Sequence, residues 1–395
     1  MTQNQIAQLA GQYTAPTYVF DIGALRQRMD YLRAHLPGRV ALCYAIKANT
    51  FITREMNPMA DRFEVCSPGE YQVCEALDIP GEKLVISGVY KTPAFIRELI
   101  ARRPEIGVFT AESPEQFRLL CEAAQASGHT VRVLLRLTSG NQFGMDEQEV
   151  RRIVRDRASW PGIDLLGIQY FSGTQKSSLK KLKRELTYLD TLLADLRTEY
   201  GFEARELEYG PGFPVHYFQG DAFDEDEFLA GAAQLLEELQ FSGALTLELG
   251  RSIAASCGTY LTQVVDCKRN RGENYAILDG GMNHLVYFGQ MMAMKLPHYQ
   301  LFPPREDGGE ENWNLCGALC TTNDILVKQL PVRDLQVGDL FAFENTGAYC
   351  MTEGISLFLT RALPRVVLLL EDGTFLPVRS DVDTYPLNTP DYERK

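Results

Sequence analysis

Lys47 stands where an apolar segment, VALCYAI (40–46), gives way to the polar residues Ala-Asn-Thr. The segment is typical of a buried strand, and a lysine is rarely buried without a partner. Desolvation lowers the pKa of a buried lysine and frees its lone pair, which makes the amine a nucleophile. Lys47 is therefore a candidate for covalent chemistry, although an exposed lysine at a strand end would look the same in the sequence.

Other chemically useful residues also stand at or near the ends of apolar segments. They are Glu64, Arg136, Phe171, Gly210, Gly212, Glu248 and Arg251. A lysine for a Schiff base, backbone N–H groups and an arginine for a phosphate, and a carboxylate for a pyridine nitrogen are the parts of a pyridoxal phosphate (PLP) site. Each residue alone has an ordinary alternative, since Gly-Pro-Gly is usually a turn and both Glu248 and Arg251 could be exposed charges. Their joint placement favours the PLP site.

Eight short apolar segments carry these residues. They are predicted strands at 40–46, 63–66, 83–88, 106–111, 131–137, 165–171, 206–210 and 244–250. Several of the predicted helices between them begin at a capping residue and two end at glycine, these residues being Ser67, Thr92, Ser113, Asp146, Gly128 and Gly201. The first helix, in NTFITREMNPMA, is the weakest because it contains a proline. Alternating strands and helices predict an α/β fold, a (β/α)₈ TIM barrel with its chemistry at the carboxyl ends of the strands.

From about residue 262 the pattern changes to alternating or continuous apolar segments separated by turn residues. EDGT (371–374), between two such segments, is typical of a hairpin. We expect a β-rich, β-barrel-like domain there, and PTYVF (16–20) could add a strand to either domain. The predicted boundaries are residues 24–261 for the PLP-binding barrel, and residues 1–23 together with 262–395 for the β domain.

The composition argues against several classes of protein. A net charge of -13 and scattered Lys and Arg disfavour a nucleic-acid partner, and no apolar segment is long enough to span a bilayer. The start, MTQNQIAQLAGQY, lacks a signal-peptide pattern, and nine scattered cysteines are typical of reduced thiols. We therefore expect a cytoplasmic protein, and five isolated histidines predict no metal site.

Seven motifs resemble, in order and spacing, those of the fold-type III PLP-dependent decarboxylases, which include diaminopimelate decarboxylase and the related ornithine and arginine decarboxylases. They are YAIKAN, FEVCSPGE, SGTQ, GPGF, ELGRSI, CGALCTTND and GAY. The resemblance covers about residues 15 to 375. It implies a PLP-dependent carboxy-lyase that removes an α-carboxylate through a Lys47 aldimine.

The resemblance also implies a role for each matched residue. Lys47 and Cys320 would be catalytic, with Cys320 crossing a homodimer interface into the partner's site, whereas the residues alone predict a buried core thiol at Cys320. The residues expected to contact the cofactor are Lys47, Glu64, Arg136, Phe171, Gly173, Thr174, Gly210, Gly212, Glu248, Arg251 and Tyr349. Those expected to contact the substrate are Tyr287, Thr321 and Asp324. Relatives that are racemases carry an arginine in place of Glu248, so this glutamate favours decarboxylation.

Three departures from the family pattern bear on the site. Phe171 stands where relatives carry a histidine that stacks on the cofactor ring, so an aromatic face remains but the hydrogen bonds of the imidazole are lost. Pro211 and Pro214 stand where glycines are usual, which removes up to two N–H donors from the phosphate. The segment between strand five and FGMD is shorter than in relatives, which predicts a more open site.

Three functions remain open. The first is decarboxylation of an amino acid or amino-acid conjugate, free or bound to a carrier protein, in a secondary-metabolite or siderophore pathway. The second is diaminopimelate decarboxylation in lysine biosynthesis, and the third is amino-acid racemisation on the same fold. A catalytically dead relative that regulates a true decarboxylase is disfavoured, because Lys47 and Cys320 are both present.

The expected substrate depends on two positions. Family members that use diaminopimelate carry an arginine at the position of Tyr287 and an acid at the position of Thr321. Tyrosine and threonine cannot replace these charges. The alternative is that Arg305 or His284 replaces the missing arginine from another direction. The neutral Cys-Thr pair instead resembles decarboxylases of carrier-bound aminoacyl groups or citryl-amino acids.

Overall fold

The computed structural model describes residues 1–392. The strands are β1 Thr17–Asp21, β2 Val40–Ala45, β3 Arg62–Val65, β4 Leu84–Ile86, β5 Val108–Ala111, β6 Val131–Leu137, β7 Ile163–Phe171, β8 Glu206–Gly210, β9 Ala244–Leu249, β10 Gly258–Asn270, β11 Glu273–Leu278, β12 Tyr299–Phe302, β13 Glu310–Cys316, β14 Ile325–Arg333, β15 Leu340–Glu344, β16 Arg365–Leu369 and β17 Phe375–Arg379. The helices are α1 Gln3–Gln12, α2 Ile22–His35, α3 Thr53–Met56, α4 Pro68–Ala76, α5 Pro93–Arg102, α6 Pro114–Ser127, α7 Glu147–Arg155, α8 Leu179–Tyr200, α9 Glu225–Glu237, α10 Arg251–Ala254 and α11 Tyr385–Asn388.

The strands β2 to β9 form a closed barrel in which every neighbouring pair is parallel. This confirms the predicted (β/α)₈ barrel. Five of its strands contribute to one cluster of buried residues, consisting of Cys43, Val85, Val108, Leu134 and Leu166. In such barrels the chemistry takes place at the carboxyl ends of the strands.

The predicted helix ends are observed in part. The Ser67 and Ser113 hydroxyls accept hydrogen bonds from backbone N–H groups at the starts of α4 and α6, and Gly128 and Gly201 end α6 and α8 in the left-handed conformation. Thr92 and Asp146 also stand at helix starts, but neither side chain makes the expected capping bond. At α5 the fixed φ of Pro93 favours the helix start without a side-chain cap. The weak helix near Pro58 shortens to the single turn α3.

The remaining strands form a mixed nine-stranded sheet in the order β14-β13-β11-β10-β1-β16-β17, with β12 and β15 attached through β10. β1 lies between β10 and β16, so the PTYVF segment belongs to this sheet. The hairpin predicted at EDGT joins β16 to β17. Apolar residues from α1 and this sheet form a core of their own, including Ile6, Leu9, Val19 and Val367.

The chain divides into two compact units. The barrel unit comprises Met29–Pro214 and Phe223–Ile253, and the sheet unit comprises Met1–Arg28, Val215–Ala222 and the chain from Ala254 onward. Segment 215–222 joins the sheet unit because the Gln219 N–H donates to Leu296 O at 2.8 Å. The boundaries predicted from the sequence stay a prediction. Within residues 1–392 we find no helix with the length and apolar character that a membrane crossing needs.

Candidate active site

Lys47 lies in a short 3-10 turn directly after β2, between two carboxylates on the neighbouring strands. Its Nζ atom is 2.5 Å from Glu64 Oε2 on β3 and 3.3 Å from Glu248 Oε1 on β9. The Lys47 side chain is 37% exposed, whereas those of Glu64 and Glu248 are 1% and 8% exposed. The partly exposed amine of Lys47 therefore lies next to the buried carboxyl groups of Glu64 and Glu248.

The two acids have opposite protonation preferences. Burial raises the pKa of Glu248, and the nearby negative charge of Glu64 raises it further. Burial also opposes ionisation of Glu64, but the Lys47 ammonium and a hydrogen bond from Glu248 bring the pKa of Glu64 below its ordinary value. Glu64 is therefore the ionised partner of Lys47, and Glu248 is the acid that retains a proton more readily.

A second cluster occupies the carboxyl ends of β7, β8 and β9. The Arg251 Nε donates to Thr174 Oγ1 at 3.1 Å. A Cβ on Gly212, whose φ is +62°, would lie 2.0 Å from the Gly173 carbonyl oxygen, so only glycine permits this backbone contact. A Cβ on Gly173 would meet no atom within 4 Å, which leaves open space on that side of the cluster. We call Gly173, Thr174, Gly210, Gly212 and Arg251 the cradle.

The cradle and Lys47 fit the PLP predicted from the sequence. Within residues 1–392, the N–H groups of Gly173, Thr174 and Gly212 have no hydrogen-bond acceptor, so they remain available to an anion. Pro211 contributes no N–H, as predicted. The amine, the buried acids and the cradle all belong to the carboxyl ends of parallel strands, which is the end that carries the chemistry of such barrels.

The Phe171 ring packs against the cradle. A Cβ on Gly210 would lie 2.4 Å from Phe171 Cδ2, so the ring rests directly on the Gly210 backbone. Its predicted stacking on the cofactor stays a prediction.

Arg136 is buried and paired within the barrel. Its Nη1 is 3.1 Å from Glu112 Oε2, and its guanidinium carbon is 4.9 Å from the centre of the Phe143 ring. The two Glu112 oxygens are buried without a well-oriented hydrogen-bond partner among the described residues, so the pair is held by charge. Arg136 also helps to lower the pKa of Glu64.

Lys91 and Cys66 are site neighbours that the sequence analysis missed. Lys91 is buried, and burial lowers its pKa to about 8 although Glu112 opposes the shift. The Cys66 Sγ is 3.7 Å from Lys47 Nζ. Each lies in a loop after a barrel strand, Lys91 after β4 and Cys66 after β3. Many surface residues lie in such loops, so the sequence did not distinguish these two from them.

Glu208 was also missed. It is completely buried, and burial together with the charge of Glu248 raises its pKa to about 8. Gln169 Nε2 donates to Glu208 Oε1 at 2.6 Å. In the sequence, Glu208 is only an acidic residue within the apolar segment that forms β8, and this pattern does not predict a place near the site.

In the sheet unit, Cys320 lies on the turn between β13 and β14 and is exposed, so it is not the core thiol that its residue type suggested. Asp324, predicted to contact the substrate, uses its two oxygens to accept the N–H groups of Met282 and Leu319, both at 2.7 Å. It therefore holds the Cys320 turn. Thr321 lies on the same turn, and the substrate contacts of Thr321 and Asp324 stay predictions.

Tyr287 and Tyr349 also lie in the sheet unit. Tyr287 is buried, its hydroxyl donates to Glu344 O at 2.6 Å, and its ring packs on Tyr217 and Phe218. Tyr349 is half-buried with a φ of +65°, a strained conformation for a tyrosine. The role predicted for Tyr287 toward the substrate and that predicted for Tyr349 toward the phosphate stay predictions.

The two alternative cations for a distal carboxylate are engaged elsewhere. His284 lies between Tyr260 Oη at 3.1 Å and Ala362 O at 2.8 Å, and burial lowers its pKa to about 4. Arg305 Nη2 is 2.7 Å from Asp339 Oδ1. His284 is therefore neutral at neutral pH, and the charge of Arg305 is already balanced by Asp339. Neither observation supports the idea that these residues replace the arginine that diaminopimelate decarboxylases carry at the position of Tyr287.

Comparison with known proteins agrees with this geometry. Residues 17–347 match the family described as "Pyridoxal-dependent decarboxylase, C-terminal sheet domain". The crystal structure of diaminopimelate decarboxylase from Methanocaldococcus jannaschii in complex with L-lysine superimposes with a TM-score of 0.84 at 23% identity, over 95% of this chain and 92% of that one. This likeness shows the fold.

Three curated relatives span nearly the whole chain. Diaminopimelate decarboxylase of Vibrio cholerae is 30% identical, over 94% of this chain and 91% of the relative. L-glutamyl-[BtrI acyl-carrier protein] decarboxylase of Niallia circulans is 26% identical, over 96% and 94%. 2-[(L-alanin-3-ylcarbamoyl)methyl]-2-hydroxybutanedioate decarboxylase of Staphylococcus aureus is 25% identical, over 94% and 98%. The chain belongs to the pyridoxal-dependent decarboxylase family, and it is a PLP-dependent carboxy-lyase.

Proposed function

We propose that this decarboxylase acts on an α-amino acid held within a larger molecule, either an amino-acid conjugate or an aminoacyl group on a carrier protein, in a secondary-metabolite or siderophore pathway. The observation that carries the choice of substrate is the state of Tyr287, a buried neutral side chain whose hydroxyl is bonded to Glu344 O. A tyrosine cannot form the two-pronged contact with which an arginine binds a distal carboxylate.

The surroundings of Tyr287 support the same choice. His284 is neutral and bonded on both sides, and Arg305 is paired with Asp339. Thr321 is neutral where an acid would be needed for a distal ammonium group. A site that leaves two charges of a ligand unpaired discriminates against that ligand by roughly 10⁴-fold.

The proposed mechanism assigns each group of the barrel unit a task. Bound PLP supplies the electron sink for the electron pair that remains when CO₂ leaves. The Arg251 guanidinium and the N–H groups of Gly173, Thr174 and Gly212 would hold its phosphate. Glu248, whose Oε1 is 3.3 Å from Lys47 Nζ, would pair as a carboxylate with the ring nitrogen and keep that nitrogen protonated.

Lys47 would hold the cofactor covalently through Nζ. In the described structure Nζ is within hydrogen-bond distance of Glu64 and Glu248, so its protons have acceptors on both neighbouring strands. Relatives that are racemases carry an arginine at the position of Glu248. The carboxylate of Glu248 therefore supports decarboxylation rather than racemisation.

We also propose a homodimer with shared active sites, in which Cys320 serves the site of the partner subunit. The exposed position of Cys320 supports this arrangement. Apolar side chains are exposed in the same unit, with Phe288, Met291, Met292 and Met294 exposed by 41%, 68%, 82% and 64%. Exposed apolar groups of this kind are typical of interfaces.

Diaminopimelate decarboxylation remains the second candidate, and the 30% identity to the Vibrio cholerae enzyme favours it. The relatives from Niallia circulans and Staphylococcus aureus, whose names describe a carrier-bound glutamyl group and a conjugate, favour the first. The deciding residues are therefore those around Tyr287 and Thr321, because overall identity to the two groups is similar.

A substrate panel tests the proposal. The holoenzyme is incubated with meso-diaminopimelate, lysine, ornithine, citryl-amino acids and an L-glutamyl carrier protein, and CO₂ release is followed. We expect turnover of a conjugate or carrier-bound substrate, and little or none of the free diamino acids. Release of CO₂ from meso-diaminopimelate at about 1 s⁻¹ or faster would overturn the proposed substrate class and restore lysine biosynthesis.

A further inference from the structure

A buried ion pair, Lys176 with Glu185, lies next to the cradle. The Lys176 Nζ is 2.8 Å from Glu185 Oε2, and the two side chains are 3% and 5% exposed. Nζ also donates to Ser172 Oγ at 2.9 Å and approaches Gly210 O at 3.5 Å. Ser172 and Lys176 follow β7 and Glu185 lies on α8, and the proposed mechanism gives none of these three side chains a chemical step.

Glu185 connects three elements. Its carboxylate on α8 accepts hydrogen bonds from Ser172 Oγ after β7 at 2.5 Å and from the Tyr209 hydroxyl on β8 at 2.6 Å, besides the contact from Lys176. Burial alone would raise the pKa of Glu185, but these three donors hold it below its ordinary value. The carboxylate is therefore ionised, and its charge is balanced by Lys176.

The same residues touch both halves of the cradle. Tyr209 directly precedes Gly210, and the Lys176 N–H donates to Gly212 O at 2.9 Å. Gly212 in turn contacts the Gly173 carbonyl so closely that a Cβ would not fit. The side chains of the pair therefore connect segment 172–176 to Tyr209 and Gly210, and the Lys176 backbone connects it to Gly212.

A buried ion pair is weak evidence for stability, because apolar residues of similar size often stabilise a fold equally well. The hydrogen bonds of this pair to the residues around the cradle suggest a role other than stability. Pro211 lacks the N–H with which a glycine would bind the phosphate or brace the loop. The Lys176–Glu185 pair contacts this loop through the Tyr209 hydroxyl and the Gly210 carbonyl oxygen.

We propose that Lys176 and Glu185 are positioning residues for the phosphate of the cofactor. They set the distance between the N–H groups of Gly173 and Thr174 and that of Gly212, so that all three meet one phosphate group. The inference rests on the assignment of the cradle to the phosphate and is independent of the substrate.

Cofactor binding by apoprotein tests this inference without any substrate. The variant Lys176→Met/Glu185→Met removes both charges, so no unpaired buried charge is left. We expect its dissociation constant for PLP to rise about tenfold or more, while that for pyridoxal, which lacks the phosphate, changes little. The ³¹P resonance of bound PLP should shift as well, because the donors around the phosphate move.

A control is Arg62→Met/Glu206→Met, which removes a partly buried ion pair of the barrel unit, at the starts of β3 and β8. It should leave the preference for PLP over pyridoxal unchanged. Tyr209→Phe provides a milder variant, since it deletes only the hydroxyl that donates to Glu185, and it should weaken PLP binding several-fold.

Two results would overturn the inference. One is an unchanged affinity for PLP in Lys176→Met/Glu185→Met and in Tyr209→Phe. The other is an equal loss of affinity for PLP and pyridoxal, which would assign the pair a general structural role. If the double variant fails to fold, the ratio measured for Tyr209→Phe decides between these outcomes. A wrong substrate class would leave all of these binding measurements unchanged.

Discussion

Lys47 Nζ lies 2.5 Å from Glu64 Oε2, and the Glu64 side chain is only 1% exposed. A carboxylate this deeply buried needs a cation, so the lysine is held in place before any cofactor arrives. The pKa of Glu64 is accordingly below its ordinary value, although burial alone would raise it. The amine proposed to attach the cofactor is thus also the partner of a buried acid.

Lys47→Ala should abolish the visible absorbance of bound PLP and lower activity by about 10³-fold or more. The variant should retain its far-UV circular dichroism but have a lower Tm, because Glu64 loses its cation. The exposed Lys180→Ala on α8 serves as the control and should behave as wild type. An unchanged absorption band that borohydride still bleaches in Lys47→Ala would contradict the assignment.

Glu208→Gln should make the stability of the apoprotein less dependent on pH. In the folded state burial raises the pKa of Glu208 to about 8, so the folded protein binds a proton that the unfolded chain releases above about pH 4.5. The stability that this proton provides is present below about pH 4.5 and is lost progressively as the pH rises to about 8. We expect similar Tm values for variant and wild type at pH 4.5, and a Tm higher by about 5 °C in the variant at pH 8.

The control for this measurement is Glu237→Gln, an exposed residue of α9. Its Tm should follow that of wild type across the same pH range. If the difference between Glu208→Gln and wild type does not change with pH, Glu208 does not retain a proton in the folded protein.

Asp324→Asn should loosen the turn that carries Cys320. The carboxylate accepts two backbone N–H groups, from Met282 and Leu319, whereas an amide presents one acceptor and one donor, so one N–H is left unsatisfied. We expect a loss of about 1–3 kcal/mol in stability and a faster reaction of Cys320 with a thiol reagent. The rate is obtained by subtracting the reaction of a Cys320→Ser protein.

The exposed Asp266→Asn in the same unit is a control, since it leaves the turn intact. Equal Tm values and equal thiol reactivity in Asp324→Asn and wild type would show that Asp324 does not hold the turn. The direct substrate role predicted for Asp324 would then be the better explanation of its place in the motif.

The barrel could be predicted because each of its strands is a local apolar pattern, and parallel strands bring their carboxyl ends to one rim. That rule also placed Lys47, Glu64 and Glu248 together. Lys91 and Glu208 were missed because no local pattern distinguishes an inward acid or lysine from an exposed one. The segment 215–222 could not be assigned either, because it joins the sheet unit through pairing with Leu296, far along the chain.

The homodimer proposal predicts complementation between two inactive variants. Lys47→Ala lacks the amine and Cys320→Ala lacks the thiol, so each homodimer should be inactive on the substrate identified in the panel. In a mixed dimer, one site would combine Lys47 of one chain with Cys320 of the other, while the second site would lack both. Random exchange of equal amounts makes half of the dimers mixed, so about a quarter of wild-type activity should return.

Subunit exchange must be proven independently, for example with chains that carry different fluorophores. A mixture of Lys47→Ala with Lys47→Arg protein, treated in the same way, should stay inactive, because neither chain then supplies the amine. Exchange without any recovery of activity would show that each site is built from one chain. In that case the exposed thiol of Cys320 would serve the site of its own chain or have no catalytic role, and the shared-site proposal would be wrong.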